Sequence, residues 1–429
     1  MPGRATGALS TPRQAGPAVI LSGGACAIPR PRRGVPAFGR EILVLLALLL
    51  AAGAVGGPAR ALLPVYLERD HAWAPPAIAA LAAARLLAAA LSAPLGGALA
   101  DTAGPRRTLR LGLASLPLAA LAFLTPATPA LALLILAAGL ADGLQSTGSQ
   151  AYLVARARRA TIGLAAGAFY VGGTLGGALG NLGAGALLRE RGFAGLGRAG
   201  LAASLLVFAV AAALPAGGTR PTGRRLALAG ALAGYRPLLA APPVRQLALL
   251  RFLSTCSWGT ATLLWPLLIA RLSGDPATAA LFGTASLALA AVAQLAAGRL
   301  IDAVGPGTPA VALAGLAPVM AALSALAVAA HSPTALFAVG VVGTATAWSL
   351  SGAILPLVRA AAPADRAGQV VGLLHLLWSL AMLAGTLLGG WLVVLSPALP
   401  FWAVALLNLP TPVAALRLRR ALRSATHKA

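Results

Sequence analysis

Twelve separate stretches of this 429-residue chain are apolar for long enough to cross a lipid bilayer, a distance that takes ~20 residues of helix. They fall at 42–66, 76–100, 109–126, 131–154, 162–187 and 199–215, and again at 247–270, 278–300, 309–330, 334–357, 369–394 and 399–416. Hydrocarbon offers no water to unpaired backbone groups, so a spanning segment must be a helix or a strand of a closed barrel. Barrel strands alternate polar and apolar side chains over ~10 residues, and none of these stretches does. The fold class that follows is an all-α polytopic membrane protein. Composition agrees: 59% of residues are hydrophobic, 10% are charged and the mean hydropathy is +0.86. A soluble chain carries ~25% charged residues, so this one lacks the polar surface to coat a water-soluble body.

The net charge of +24 and the pI near 12.0 would point to nucleic acid in a soluble protein. Here the placement of the charge excludes that partner. Of the 33 Lys and Arg residues, only Arg69, Arg189, Arg191, Arg198 and Arg271 fall in the loops of one side. Arg60, Arg85 and Arg251 lie deep within spans, and the rest, with Arg110 and Arg299 at span ends, cluster on the other side. That is the positive-inside distribution, which puts both termini in the cytoplasm of a multi-pass protein whose constant partner is the bilayer. The heavy use of Ala, Gly, Pro and Arg with a single Lys, Lys428, is the mark of a GC-rich bacterial genome, so the inner (plasma) membrane of a bacterium is expected. No G-x-x-x-x-G-K-[ST] loop is present, which excludes ATP drive within the chain. Cys26 and Cys256 suggest no disulfide, and His71, His331, His375 and His427 form no metal-ligand spacing. Neither cofactor nor metal is expected.

Residues 1–37, rich in Gly, Pro, Ala and Arg, show no helical period and are predicted to be a disordered tail. An N-terminal six-helix bundle is expected over 38–215, a cytoplasmic linker over 216–245 with a short surface helix near Arg225–Tyr235, a C-terminal bundle over 246–416, and a basic tail over 417–429. The halves repeat each other. Gly97-Ala-Leu-Ala-Asp101-Thr-Ala-Gly104-Pro-Arg106-Arg107 is echoed about two hundred residues later by Gly298-Arg-Leu-Ile-Asp302-Ala-Val-Gly305-Pro. Each copy sits where an apolar run stops. Paired halves in a membrane protein are the architecture of a transporter.

At these residues the chain resembles the major facilitator superfamily of secondary transporters, over about residues 40–420. The family pattern G-x-x-x-D-[RK]-x-G-[RK]-[RK] is met by Gly97, Asp101, Gly104, Arg106 and Arg107, with Pro105 inserted and Thr102 in place of the first basic residue. The second copy keeps Gly298, Asp302 and Gly305 but not the trailing arginines. The resemblance implies two pseudo-symmetric six-helix bundles around a cavity lined by helices 1, 4, 7 and 10, rocking to give alternating access. It also implies a proton gradient as the drive and a small molecule as cargo; a monomer is expected. Gly172-Gly-Thr-Leu-Gly176-Gly and Gly385-Thr-Leu-Leu-Gly389-Gly resemble the G-P-x-x-G-G element of the family's drug/proton antiporters without its proline. Gly-x-x-x-Gly spacing by itself gives close helix packing.

The repeated motif has its own physical logic. Gly97 and Gly298 let a neighbouring helix approach closely. Asp101 and Asp302, at helix ends, can pair with a loop arginine or with the positive N-terminus of another helix, forming a latch that holds one conformation; otherwise they are solvated helix ends. Asp142 lies near the middle of the fourth span, where a charge costs at least ~2.5–3.5 kcal/mol. With Gln145, Ser149 and Tyr152 it forms one polar helical face. Arg60 and Arg85 sit at similar depth. Asp142 either carries a proton through the transport cycle, or holds a permanent ion pair that specifies packing, or touches substrate. His375 is a second candidate proton relay, or else a hydrogen-bonded core histidine. In the second half, Arg251, Thr255, Trp258, Thr262 and Trp265 share a face, as do His375 and Ser379 beside Trp378, and Thr344, Trp348 and Ser351. Arg251 is expected to snorkel to the inner surface. Indole rings with a few hydroxyls suit a small hydrophobic organic compound, and export of such a compound is the expected function. Uptake of a sugar or other metabolite is the alternative; a membrane enzyme lacks a convergent His/Asp/Glu cluster, and a sensor lacks a soluble domain.

Overall fold

The computed structural model describes residues 38–73, 75–215, 235–274, 276–363 and 365–426; the predicted tail over 1–37 and the predicted surface helix up to residue 234 lie outside them. The described residues contain helices and no strand. In chain order the spans are α1 (Arg40–Arg69), α2 (Pro75–Ala103), α3 in two segments (Pro105–Gly112 and Ser115–Ala122) and α4 (Thr128–Arg156). Next comes a single run, Ile162–Ala212, that bends at Gly192 with φ 62°. A straight helix of that length would be about two and a half times the thickness of a bilayer core. It therefore has to turn, giving α5 (Arg159–Leu188) and α6 (Glu190–Ala212). The second half holds α7 (Pro242–Ser273), α8 (Pro276–Val304), α9 (Gly307–Ala329), α10 (Pro333–Ala361), α11 (Ala367–Leu395) and α12 in two segments (Leu399–Leu407 and Pro410–Thr426). Eleven of these are long and apolar enough to cross a membrane, and the two segments of α3 make the twelfth span.

Several helix ends differ from the sequence reading, among them the start of α6 at Glu190 rather than 199, and two differences have a plain cause. Pro242 and Pro243 open α7 rather than delaying it to residue 247, because the first helical turn has no intrahelical donor for proline to remove. The last helix runs to Thr426 rather than ending at 416; its arginines leave the apolar stretch without leaving the helix, as Arg is a good helix former.

The glycine-rich elements sort themselves by side. A Cβ on Gly176 would strike the carbonyl of Leu50, and one on Gly180 the carbonyl of Ala54, so α5 lies directly on α1. In the second half a Cβ on Gly385 would strike the carbonyl of Cys256, and one on Gly259 that of Met382, so α11 lies on α7 in the same way. These elements pack helices within each half and not between halves. Gly176→Val is expected to cost ~3 kcal/mol or more, since backbone cannot yield as a side chain can, whereas a Cβ on Gly173 meets nothing within 4 Å. Thermal unfolding of purified Gly176→Val and Gly173→Ala checks this; equal losses in the two would refute the packing account.

Candidate functional site

The repeated motif closes one end of the molecule. Asp101, at the end of α2, accepts the backbone N–H of Gly368 at 2.7 Å through Oδ1 and that of Gln369 at 2.8 Å through Oδ2. Asp302, at the end of α8, accepts the N–H of Gly163 at 2.6 Å and of Leu164 at 2.9 Å. Both carboxylates thus cap the second and third residues of an α-helical run in the opposite half, α11 from Ala367 or the part of α5 from Ile162. An isolated helix leaves these donors unsatisfied, and the macrodipole adds attraction for the charge. The flanking glycines make this geometry possible. A Cβ on Gly97 would meet the carbonyl of Gly368, and one on Gly298 that of Gly163, so only glycine lets the backbones close up. Gly104 and Gly305 have φ of 94° and 80°, a left-handed turn that side chains disfavour.

Two motif arginines are not part of this latch. Arg106 donates to the carbonyl of Ala212 at 3.1 Å, and with the unanticipated Arg110, 2.9 Å from the carbonyl of Ala211, it caps α6 in its own half. Arg107 is exposed. A cation at a helix C-terminus complements its dipole, a partner that motif spacing does not reveal. The latched end has two further ties. Arg359 of α10 donates to the carbonyls of Val154 and Ala157 at the end of α4. The Tyr235 hydroxyl donates to the carbonyl of Pro94 in α2 at 2.5 Å. Burial pushes this phenol above its usual pKa, keeping it protonated and a donor.

Toward the other end the halves part around a cavity of about 490 Å³. Its wall comes from α1, α2, α4, α5 and α11, including Arg60, Arg85, Asp142, Gln145, Ser149 and His375. α7 and α10, expected on this wall, instead line a deeper compartment of about 180 Å³ that shares Ser146, His375 and Trp378 with the first. Arg85 Nη2 donates to Asp142 Oδ2 at 2.6 Å. Arg60 faces the same cavity without reaching that carboxylate. Gln145 accepts from Ser115 at 2.8 Å, and His375 Nδ1 lies 3.1 Å from Ser146 Oγ, linking α11 to α4 across the halves.

Several aromatic and hydroxyl candidates are packing residues. Tyr152 is 1% exposed and donates to the carbonyl of Pro215 at 3.3 Å; the polar face of α4 stops at Ser149 because the next turn enters the closed end. Thr262 donates to the carbonyl of Trp258 in its own helix, a common use of Thr inside membranes. Thr255 and Trp265 are buried around a small void of about 60 Å³, and the Trp265 indole donates to Ser324 at 3.0 Å. Trp258, Trp348 and Trp378 do reach the deep compartment. Arg251, expected to snorkel outward, instead turns inward: it is 8% exposed and donates to Ser351 at 3.1 Å. Sequence fixes the depth of an arginine but not which way its long stem bends.

The sequence model of the Major Facilitator Superfamily matches residues 43–244 and 247–429. No curated protein sequence matches the chain. Among solved structures, the human organic anion transporter MFSD10 (TETRAN) superposes with a TM-score of 0.73 at 18% identity, covering 88% of this chain and 100% of that one. A bacterial homologue of the iron transporter ferroportin, in an outward-facing state with soaked iron, gives 0.71 at 14% identity over 91% of this chain and 100% of the other. A variant of the Escherichia coli fucose:proton symporter FucP gives 0.68 at 13%, covering 90% and 99%. With its paired carboxylate caps, its cavity between halves and a family match along nearly its whole length, the chain is a multi-pass membrane protein of the Major Facilitator Superfamily of transporters.

Proposed function

We propose that this protein is a proton-coupled transporter that moves a small organic molecule by rocking its halves, and that Asp142 carries the coupling proton. The observation behind this is a carboxylate at mid-span, held at 2.6 Å by Arg85 and facing a cavity whose lining includes Leu63, Leu67, Ile78 and Leu81, toward the ends of α1 and α2 that lie away from Asp101. Protonating Asp142 would release Arg85, so proton occupancy and the local field of the cavity are linked. In this reading the latched end is cytoplasmic, in keeping with the arginine-rich loops on that side, and the conformation is outward-facing. The membrane is the bacterial inner membrane. The apolar wall favours export of a hydrophobic compound in exchange for protons. The excess of arginine over carboxylate favours the second reading, transport of a proton together with an acidic compound. The structural neighbours, described as carriers of organic anions, iron and fucose, do not choose between them.

Vesicles reconstituted with the protein and an internal pH dye test the proposal against a panel of hydrophobic amines, organic acids and sugars. A gradient of at least one compound should move protons with wild type and not with Asp142→Asn, while isotope exchange of that compound persists. Proton flux unchanged in the variant would make Asp142 a structural partner of Arg85. No flux of any compound would remove the transport reading.

A further inference from the structure

The deep compartment is chemically one-sided. Arg251 is 8% exposed in the membrane-spanning part of α7 and, among the described residues, has no carboxylate within ion-pair distance. Its Nη1 is held by Ser351, while its Nε is buried without a partner. Two more polar atoms of the same lining are buried and unpartnered, the Tyr170 hydroxyl and the Trp348 indole N–H. Guanidinium and indole nitrogens only donate, and a phenol donates readily. Leaving such donors orphaned in a low-dielectric interior is costly, and a buried unpaired charge more so. The surroundings do not relieve it. Arg60, Arg85 and Arg251 face the connected compartments, and among the described residues Asp142 is the one carboxylate on their walls, already committed to Arg85. The lining thus carries an excess of positive charge inside the membrane. Around the donors stand flat apolar surfaces: Trp348 lies edge-on to both Tyr170 and Trp258 at 6.1 Å, and Trp378 stacks on His375 at 5.6 Å.

We propose that the compartment lined by Arg251, Tyr170 and Trp348 is the site of an aromatic organic anion, whose carboxylate or sulfonate is held by the Arg251 guanidinium, with the Tyr170 and Trp348 donors turning to it, while its ring lies against Trp258 and Trp378. This rests on the transport reading above and names the substrate class for the same cavity. An acceptor-only anionic group satisfies orphan donors and excess charge together; a neutral sugar would bring donors as well as acceptors, and a cation would add to the charge. The compartment's 180 Å³ is about six waters' worth of space, enough for a small ring bearing one acidic group and too large for an inorganic anion to fill.

The test is binding to the purified full chain, followed by tryptophan fluorescence with thermal shift as a second readout. The probes are benzoate, 2-naphthoate and naphthalene-2-sulfonate against the neutral benzyl alcohol and 2-naphthylmethanol and the cationic benzylamine. At least one anion should bind about tenfold or more tighter than its neutral counterpart, and Arg251→Gln should weaken it at least ~30-fold, with Arg251→Lys retaining part. Losing the buried charge affects anions and not alcohols, so the preference should vanish in Arg251→Gln. If that variant fails to fold, Tyr170→Phe combined with Trp348→Phe keeps the charge and removes two donors, and a several-fold loss confined to anions is expected. Equal binding of alcohols and anions by wild type, or an anion affinity untouched by both sets of substitutions, overturns the anion site. Vesicle transport of a neutral or cationic compound alongside that result would leave the transport reading standing. Failure of every compound to move would end that reading independently.

Discussion

Asp101→Asn combined with Asp302→Asn is expected to open the latched end of the protein. Each carboxylate satisfies two backbone donors of a helix in the other half, with all four distances between 2.6 and 2.9 Å. Hydrogen bonds to a charged group contribute about 1.5–3 kcal/mol net, and the amide that replaces the carboxylate keeps one acceptor while turning an NH₂ toward the second donor. About 1.5 kcal/mol per site gives about 3 kcal/mol for the pair, a change of about a hundredfold in the ratio of closed to open states. The near-identical caps predict that each single variant carries about half the effect. Spin labels at Arg107→Cys and Arg299→Cys, exposed positions on opposite halves, would read the distance across this end in a background free of Cys26 and Cys256. A second, longer distance should become dominant in the double variant. A distribution identical to wild type would mean that helix packing around Gly97 and Gly298, not the carboxylates, holds the end shut.

Asp142→Ala is expected to destabilise the protein strongly, and Asp142→Asn with Arg85→Gln to restore most of the loss without restoring proton coupling. Arg85 and Asp142 have side-chain exposures of 14% and 28%, so neither charge is well solvated. Removing one partner of a buried pair typically costs 3–5 kcal/mol because the other is left uncompensated. Access to the cavity moderates this, and ~3 kcal/mol is expected here. Replacing both ions by a neutral pair able to hydrogen-bond removes the unpaired charge, so stability returns while the titratable group does not. Unfolding midpoints for the two single variants and the double variant give the coupling energy, and proton flux in vesicles gives the function. Independent, additive effects would show that the 2.6 Å contact is not the energetic partnership it resembles. Proton coupling that survives in the double variant would move the relay to His375, which shares the cavity and meets Ser146 across the halves.

What the chain alone determined was everything that follows from hydropathy and from repetition. Hydrocarbon forbids unpaired backbone, so long apolar stretches had to become helices, and two copies of one motif at equivalent span ends had to mean two similar halves. The close approach at Gly97 and Gly298 and a cross-helix partner for Asp101 and Asp302 followed from residue chemistry at a helix end, which offered a loop arginine or a helix N-terminus; the fold chose the N-terminus. The fold decided what depends on rotation and on partners distant in the chain. Arg85, rather than Arg60, met Asp142; Tyr152 and Thr262 turned from the cavity; Arg106 served α6. The glycine spacing of α5 and α11 announced close helix packing, but only the positions of Leu50 and Cys256 showed which helices they pack against. Arg251 shows the physical reason most plainly. Its depth is written in the sequence, but whether a flexible cationic stem reaches out to water or in toward Ser351 depends on which neighbouring helix offers it a place, and that is a property of the assembled bundle alone.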